Sequence, residues 1–394
     1  MFSPLFGYTA KVLIGTSGWS YDDWVDVFYE REERMFQQYT RVFDTAEINS
    51  TFYKIPPPSF IAGLARSSPR GFVFSVKLHK EITHKKMVDP KLAVERDVRN
   101  FLKLLDPLKK QDKLGAILVQ LPPEPKEKFP RFEEFLDILA SMDGYRFAVE
   151  FRDESWISEE TWKMLRERNV AYCIVDEPLL PPITVVTTDF AYIRWHGRGG
   201  RPWYYYLYSV DELREWVPRV LEVAKKVKVI YGYFNNHFRG FAPRNALQIL
   251  TLLGLATQRQ RIVLKRMDEY FKTRALEKVK QKFKALQAPS VRDLLSLLVS
   301  EKRLKRAEEM SDKELRYEDR GSEIVCKIRA YKIVIDLNEK AIVHDCADWQ
   351  KLVESKRFCK HLAKLFLSLP QERATKLLET IISELDDWDF RYGD

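Results

Sequence analysis

Eight short runs of apolar, β-branched and aromatic residues recur through the first 240 positions. They are KVLIGTS at 11–17, TAEINST at 45–51, FVFSVKL at 72–78, GAILVQL at 115–121, RFAVEFR at 146–152, AYCIVDE at 171–177, FAYIRWH at 190–196 and VIYGYFN at 229–235. Runs of this length that are apolar on both faces predict fully buried strands. Several of the intervening stretches carry apolar residues at three- and four-residue spacing and predict helices: 90–110, 131–142, 158–169 and 209–226, the last with Ser209 as its cap. The stretch at 178–189, PLLPPITVVTTD, has three prolines and no helical period, so no helix is expected there.

Strand–helix alternation repeated eight times implies parallel neighbours, because parallel strands need crossovers. Eight such units in about 250 residues match a closed (β/α)8 barrel. The competing architecture is an open doubly wound sheet. No GxGxxG follows the first strand, which removes its commonest dinucleotide-binding form. Past residue 255 the pattern changes. Residues 256–289 are basic and helical in period, and 291–310 read as one more helix. Residues 317–346 read as strands around turns, and a last helix is expected from 371 to 390. The expected organisation is an α/β chain: a TIM-like barrel over 1–256, a basic helical segment over 257–320 and a small α+β metal-binding domain over 321–394.

Composition narrows the class. With 45% hydrophobic and 13% aromatic residues, the 394-residue chain can fill a large barrel core. It has no uncharged apolar run long enough to span a bilayer, and its first residues do not read as a secretory signal. Four cysteines, two of them in candidate ligand pairs, suit a reducing cytoplasm. Cys173 and Cys326 sit in apolar runs and are expected to be buried and inert. The net charge of +9 is uneven: residues 261–300 hold ten Lys/Arg against four Asp/Glu. A basic helical segment suits contact with a nucleic-acid backbone through Lys265, Arg266, Lys272, Arg274, Lys278, Lys280, Lys282 and Lys284.

Polar residues collect at the C-terminal ends of the eight runs, where barrels of this type place their active sites. Glu47, Lys77, Glu150, Asp176 and His196 are the candidate catalytic groups. Three carboxylates at one mouth would suit Mg2+ or Mn2+, or would divide acid and base work. Lys77 would hold an anion or, with a depressed pKa, form a Schiff base. Asn49, Tyr53, Gln120, Arg152, Arg194, Tyr233 and Asn235 are the candidate substrate contacts. The histidines His79, His84, His196 and His237 form no HxH pair, which argues against a multi-zinc nuclease centre.

His344-x-Cys346 and Cys359-x-His361 follow a strand-like run and open an amphipathic helix. Two close pairs of thiolate and imidazole are what tetrahedral zinc takes, so a structural Zn2+ is expected on these four residues. The segment 323–369 resembles the SWIM zinc finger, with His344 in place of that family's first cysteine. The resemblance implies nucleic-acid or protein binding and no chemistry. Across 11–255, the motifs GTSGWSYDDWVDVFY, EINSTFYKIP, FSVKLHKEITH, VQLPP, AVEFRDESW, VDEP, YIRWHGR and YFNNHFRGFAPRNA resemble the YecE-like family, domain of unknown function 72. That resemblance implies a TIM-barrel-like fold and assigns no activity. Three functional readings follow. The first is an enzyme acting on DNA or RNA. The second is a small-molecule or sugar enzyme whose zinc module recruits a protein. The third is a non-catalytic nucleic-acid adaptor.

Overall fold

The structure is a computed structural model, and it describes residues 10–87, 93–200, 204–350, 352–353 and 356–393. The chain divides into two compact units, Met1–Met267 and Asp268–Asp394.

The first unit is a closed parallel barrel in sequence order. Its strands are β1 (Lys11–Ser17), β2 (Thr45–Ile48), β3 (Val73–Lys77), β4 (Leu114–Gln120), β5 (Arg146–Glu150), β6 (Ala171–Asp176), β7 (Phe190–Trp195) and β8 (Val229–Phe234), with β8 closing on β1. All eight predicted strands are present, most of them a residue or more shorter than their apolar runs. Helices cover the outside, among them Pro58–Ser67, Glu95–Leu104, Phe132–Ala140, Glu159–Glu167, Val210–Ala224 and Phe241–Leu252. Ser209 does cap its helix: its hydroxyl accepts from the Glu212 amide, and the Glu212 carboxylate accepts from the Ser209 amide. As the prolines imply, 178–189 is irregular.

Side chains alternate across each strand. One set, including Leu13, Val73, Ala116, Leu118, Ala148, Cys173, Phe190, Tyr192, Val229 and Tyr231, packs into one buried cluster that fills the barrel. The same parity carries Ser17, Glu47, Lys77, Gln120, Glu150, Arg194 and Asn235 inward at the C-terminal mouth. Gly18 turns the chain away after β1 at φ +81°, and a Cβ there would lie 2.7 Å from the Tyr21 hydroxyl.

In the second unit, a five-stranded sheet has the order β13-β12-β11-β10-β9. Its strands are β9 (Leu315–Asp319), β10 (Glu323–Ile328), β11 (Tyr331–Asp336), β12 (Ala341–His344) and β13 (Asp389–Tyr392). Helices Val291–Leu298, Lys360–Ser368 and Gln371–Ser383 share its buried core. Two expectations are corrected here. The helix expected over 291–310 is two helices, Val291–Leu298 and Glu301–Glu308, because Val299 is extended (φ −121°, ψ 140°). The last helix ends at Ser383; residues 384–388 are irregular, and Asp389 and Phe390 open β13 beside β12. Cys173 and Cys326 are buried as expected, and burial pushes both thiols up, that of Cys326 to about 12.

Candidate functional site

The mouth of the barrel is organised around Arg194, an inward-facing arginine on β7 with no exposed surface. Its Nη1 donates to Glu150 Oε2 at 2.6 Å and its Nη2 to Glu47 Oε1 at 2.8 Å. Glu47 also accepts from Ser17 Oγ at 2.5 Å and from the Tyr192 hydroxyl at 2.7 Å. Glu150 Oε1 accepts from Gln120 Nε2 at 2.6 Å and from Arg152 Nη1 at 3.3 Å. The Arg194 guanidinium thus bridges two buried carboxylates, Arg152 brings a second positive charge beside Glu150, and neutral donors satisfy further lone pairs. Burial alone would push the Glu150 carboxyl up. Arg194 and His196 outweigh it and hold the group well below the usual carboxylate range.

His196 is fully buried. Asn235 Nδ2 lies 3.0 Å from its Nδ1, and Glu150 Oε1 lies 3.3 Å from its Nε2. Arg194 Nη1 also lies 3.5 Å from Nε2, so a donor and an acceptor both face that nitrogen. Burial pushes the imidazole down to about 4, against the pull of Glu150.

Lys77 is the exception in this paired cluster. The residue is 4% exposed, and its Nζ lies 3.8 Å from the centre of the Phe52 ring. Among the described residues it forms no hydrogen bond or ion pair. Burial and the repulsion of Arg194 push its ammonium down to about 7, with Glu150 and Glu47 offsetting only part.

Not every predicted residue joins this group. Asp176 lies on the outward parity of β6. Its carboxylate accepts from Trp216 Nε1 at 2.5 Å and from Arg198 Nε at 3.0 Å, tying the strand to the helix Val210–Ala224. The carboxylate that does approach the cluster is the residue just past β6, Glu177, 3.3 Å from Arg152 Nε. It is buried, and neither of its oxygens accepts a hydrogen bond. Burial pushes it up to about 7, with Arg152 opposing. Extending the alternation Ala171, Cys173, Val175 by one step would have found it. Tyr233 lies one layer deeper, bonded to Ser75 Oγ at 2.9 Å and to Thr45 Oγ1 at 2.8 Å. Asn49 is half-buried with Oδ1 unbonded, and Tyr53 is exposed at the rim. The expected carboxylate set for Mg2+ or Mn2+ is not assembled. Asp176 points away, and the oxygens of Glu47 and Glu150 already hold protein donors. Among the described residues, the ligand group capable of holding an ion lies elsewhere.

That group is His344, Cys346, Cys359 and His361, all buried, with ligand atoms within 4.8 Å of one another. His344 ends β12 and Cys346 lies in the turn after it. Cys359 is the N-cap of the helix Lys360–Ser368, and His361 is in that helix's first turn. Each ligand but one has a bond that orients it. His344 Nδ1 donates to the Lys332 carbonyl at 2.6 Å, Cys346 Sγ accepts from the Trp349 amide at 3.3 Å, and Cys359 Sγ accepts from the Leu362 amide at 3.5 Å. His344 Nε2 and His361 Nδ1 are buried with no partner. Two orphaned imidazole nitrogens facing two thiols fit a metal ion.

Of the basic residues, Arg266 is spent on the Phe28 carbonyl at 2.6 Å and on Glu30, and Lys280 on Asp386. Lys265, Lys272, Arg274, Lys278, Lys282 and Lys284 are exposed along the helix Gln258–Lys284.

Comparison with known proteins follows the division of the chain. The UPF0759 protein YunF of Bacillus subtilis (strain 168) is 27% identical over 268 residues, 62% of this chain and 95% of YunF. The crystal structure of a DUF72 family protein from Thermotoga maritima MSB8 matches with 33% identity and a TM-score of 0.56, covering 62% of this chain and 99% of that one. A DUF72 family protein from Enterococcus faecalis V583, 23% identical, matches with a TM-score of 0.56 over 63% of this chain and 97% of its own. The family model described as "Protein of unknown function DUF72" covers residues 13–269, from within β1 through the rest of the barrel and its mouth, and the chain belongs to that family.

Proposed function

We propose that the barrel is an enzyme working at its C-terminal mouth through the amine of Lys77. Its substrate is a nucleic acid, held by the second unit as a SWIM-type zinc module together with the exposed basic residues of the helix Gln258–Lys284. The observation that carries the catalytic part is Lys77 itself. A buried amine with no carboxylate partner and a pKa lowered to about 7 is about half unprotonated at neutral pH. Its lone pair attacks a carbonyl carbon. The C=N bond forms as the carbonyl oxygen leaves as water, and the resulting cationic imine draws electrons from the neighbouring carbon. Glu177, beside Arg152, is the acid–base candidate, and the Arg194 cluster holds the mouth rigid. An aldehyde of this kind in nucleic acid is the sugar of a nucleotide that has lost its base.

The zinc reading rests on the two-sulfur, two-nitrogen ligand set and its unpartnered imidazole nitrogens. A closed set of four protein ligands suits structural zinc. Purified protein should carry about one zinc per chain. The Cys359→Ser, His361→Ala double variant should lose it; full retention would reject the assignment.

The catalytic reading is tested by borohydride trapping with two substrates, an oligonucleotide containing one abasic site and a small aldose. Trapping of the oligonucleotide on the wild type and its loss in Lys77→Arg supports the proposal. Trapping of the aldose alone moves the substrate to a small carbonyl compound, which the 4% exposure of Lys77 would also admit. Salt-dependent nucleic-acid binding with no trapping of either leaves an adaptor.

A further inference from the structure

The basic groups at one side of the mouth outnumber what the Arg194 cluster uses. Lys77 and His84 share the Phe52 ring: the Lys77 Nζ is 3.8 Å from its centre, and the His84 ring is 5.1 Å away, edge-on at 75°. His84 sits in a turn of π-helix, Glu81–Lys86, an irregularity that re-aims side chains and recurs at functional positions. Its Nδ1 is engaged by Thr83 Oγ1 at 2.8 Å, which leaves Nε2 without a described partner. Every group acting on this imidazole disfavours its charged form. Burial comes first, then Lys77, Arg152 and Lys80, and no carboxylate opposes them. Three cations around a half-buried imidazole, one of them an amine with no acid beside it, raise the energy of the protein unless an anion joins them. Arg152, already shared between Glu150 and Glu177, repels the charged forms of both Lys77 and His84.

We propose that His84, Lys77 and Arg152 form a phosphate-binding subsite at the barrel mouth. His84 Nε2 and Lys77 Nζ are its principal donors, and Phe52 is the apolar wall between them. The ligand is a phosphate carried either by a nucleic-acid backbone or by a phosphorylated small molecule. A phosphate dianion would offer three acceptor oxygens to these donors and would reverse the local field. The inference rests on the reading of the mouth as the active site, but it concerns binding alone and is measured without turnover.

The test is an NMR titration of the histidine side chains in the full chain. His84→Gln identifies the His84 signal among the six histidines. Orthophosphate, ribose 5-phosphate and a short oligonucleotide are added in separate arms, with chloride at matched ionic strength as control. Saturable binding of orthophosphate should raise the His84 pKa, which starts from about 4, by roughly one unit or more. Lys77→Met and His84→Gln should each weaken orthophosphate roughly tenfold or more. Lys77→Arg should retain it, although that variant loses imine trapping. Tighter binding of ribose 5-phosphate than of the oligonucleotide identifies a small-molecule source, and the reverse identifies a nucleic acid. A His84 signal that responds to phosphate no more than to chloride overturns the subsite, as does wild-type affinity in both Lys77→Met and His84→Gln. Phosphate binding with no trapped imine leaves the subsite standing and removes the amine mechanism.

Discussion

Arg194 is the residue on which the mouth depends mechanically. It has no exposed surface, and Glu47 and Glu150 both lean on it. Arg194→Met keeps volume but leaves Glu47 without a cation and Glu150 with Arg152 alone, so a loss of about 3–5 kcal/mol in denaturant unfolding is expected. Wild-type stability in that variant would mean the carboxylates find water or protons cheaply. Lys77 and Glu177 act in the opposite sense, since each is destabilised by burial. The Lys77 ammonium is pushed down to about 7 in the fold from its ordinary 10.5, so the unfolded chain binds the extra proton between those values and stability rises with pH across them. Glu177 is about 7 against 4.5, so the folded chain binds the extra proton and stability falls as pH rises from 4.5 to 7. The two slopes meet near pH 7. Unfolding curves recorded from pH 5 to 9 should show Lys77→Met removing the rise above neutrality and Glu177→Gln removing the fall below it. Catalysis should follow the amine, rising with pH through about 7 as Lys77 loses its proton. A rate flat between pH 6 and 8 would count against Lys77 as the nucleophile.

At the scale of elements, strand parity decides which residues meet. Asp176 and Glu177 are neighbours in sequence on opposite faces of the sheet, so they separate in role. Asp176→Asn should cost stability through Trp216 and Arg198, about 1–3 kcal/mol, while leaving the amine's pH profile unchanged. If Asp176→Asn shifts that profile and Glu177→Gln does not, the assignment by parity is wrong. The eight strands were legible because a parallel barrel buries both faces, and continuous apolar runs are a strong signal. Most of the mouth was legible for a related reason: Glu47, Lys77, Gln120, Glu150 and Arg194 break those runs at their C-terminal ends. Composition near a strand end does not say which side a carboxylate faces, and this is why Asp176 stood in for Glu177. His84 lies past β3 in a π-turn that no period marks. The strand Asp389–Tyr392 hid behind an apparent helix, although Trp388 and Phe390, both buried, alternate with charged residues at period two. The basic helix carries a parallel lesson, because charge count does not separate free side chains from spent ones. Reversing Lys272, Arg274, Lys278 and Lys282, all exposed, should lower the log–log salt slope of nucleic-acid binding by roughly 0.7–0.9 for each phosphate lost. Reversing Arg266, which holds the Phe28 carbonyl, should instead destabilise the barrel unit.

At the scale of the whole molecule, the boundary of the family match and the boundary of compactness nearly coincide. The match ends at residue 269 and the first unit at Met267. YunF and the T. maritima protein are covered over 95% and 99% of their lengths by 62% of this chain, so the barrel is essentially the whole of what those relatives share with it. The second unit has a separate buried core, and His344, Cys346, Cys359 and His361 lie within it. Ligand pairs that join β12 to the helix Lys360–Ser368 couple metal affinity to the folding of that unit, because the unfolded chain cannot offer the same set. Removing the metal should therefore act on one unit and spare the other. With a strong chelator present, calorimetry of the full chain should show one transition moving down sharply or vanishing, while the transition of the barrel stays within about a degree or two. Borohydride trapping of a small aldehyde at Lys77 should persist under the same conditions, and affinity for nucleic acid should fall. Simultaneous loss of both transitions would show that the barrel requires the second unit. An unchanged thermogram would show that the four ligands hold no ion that matters to the fold.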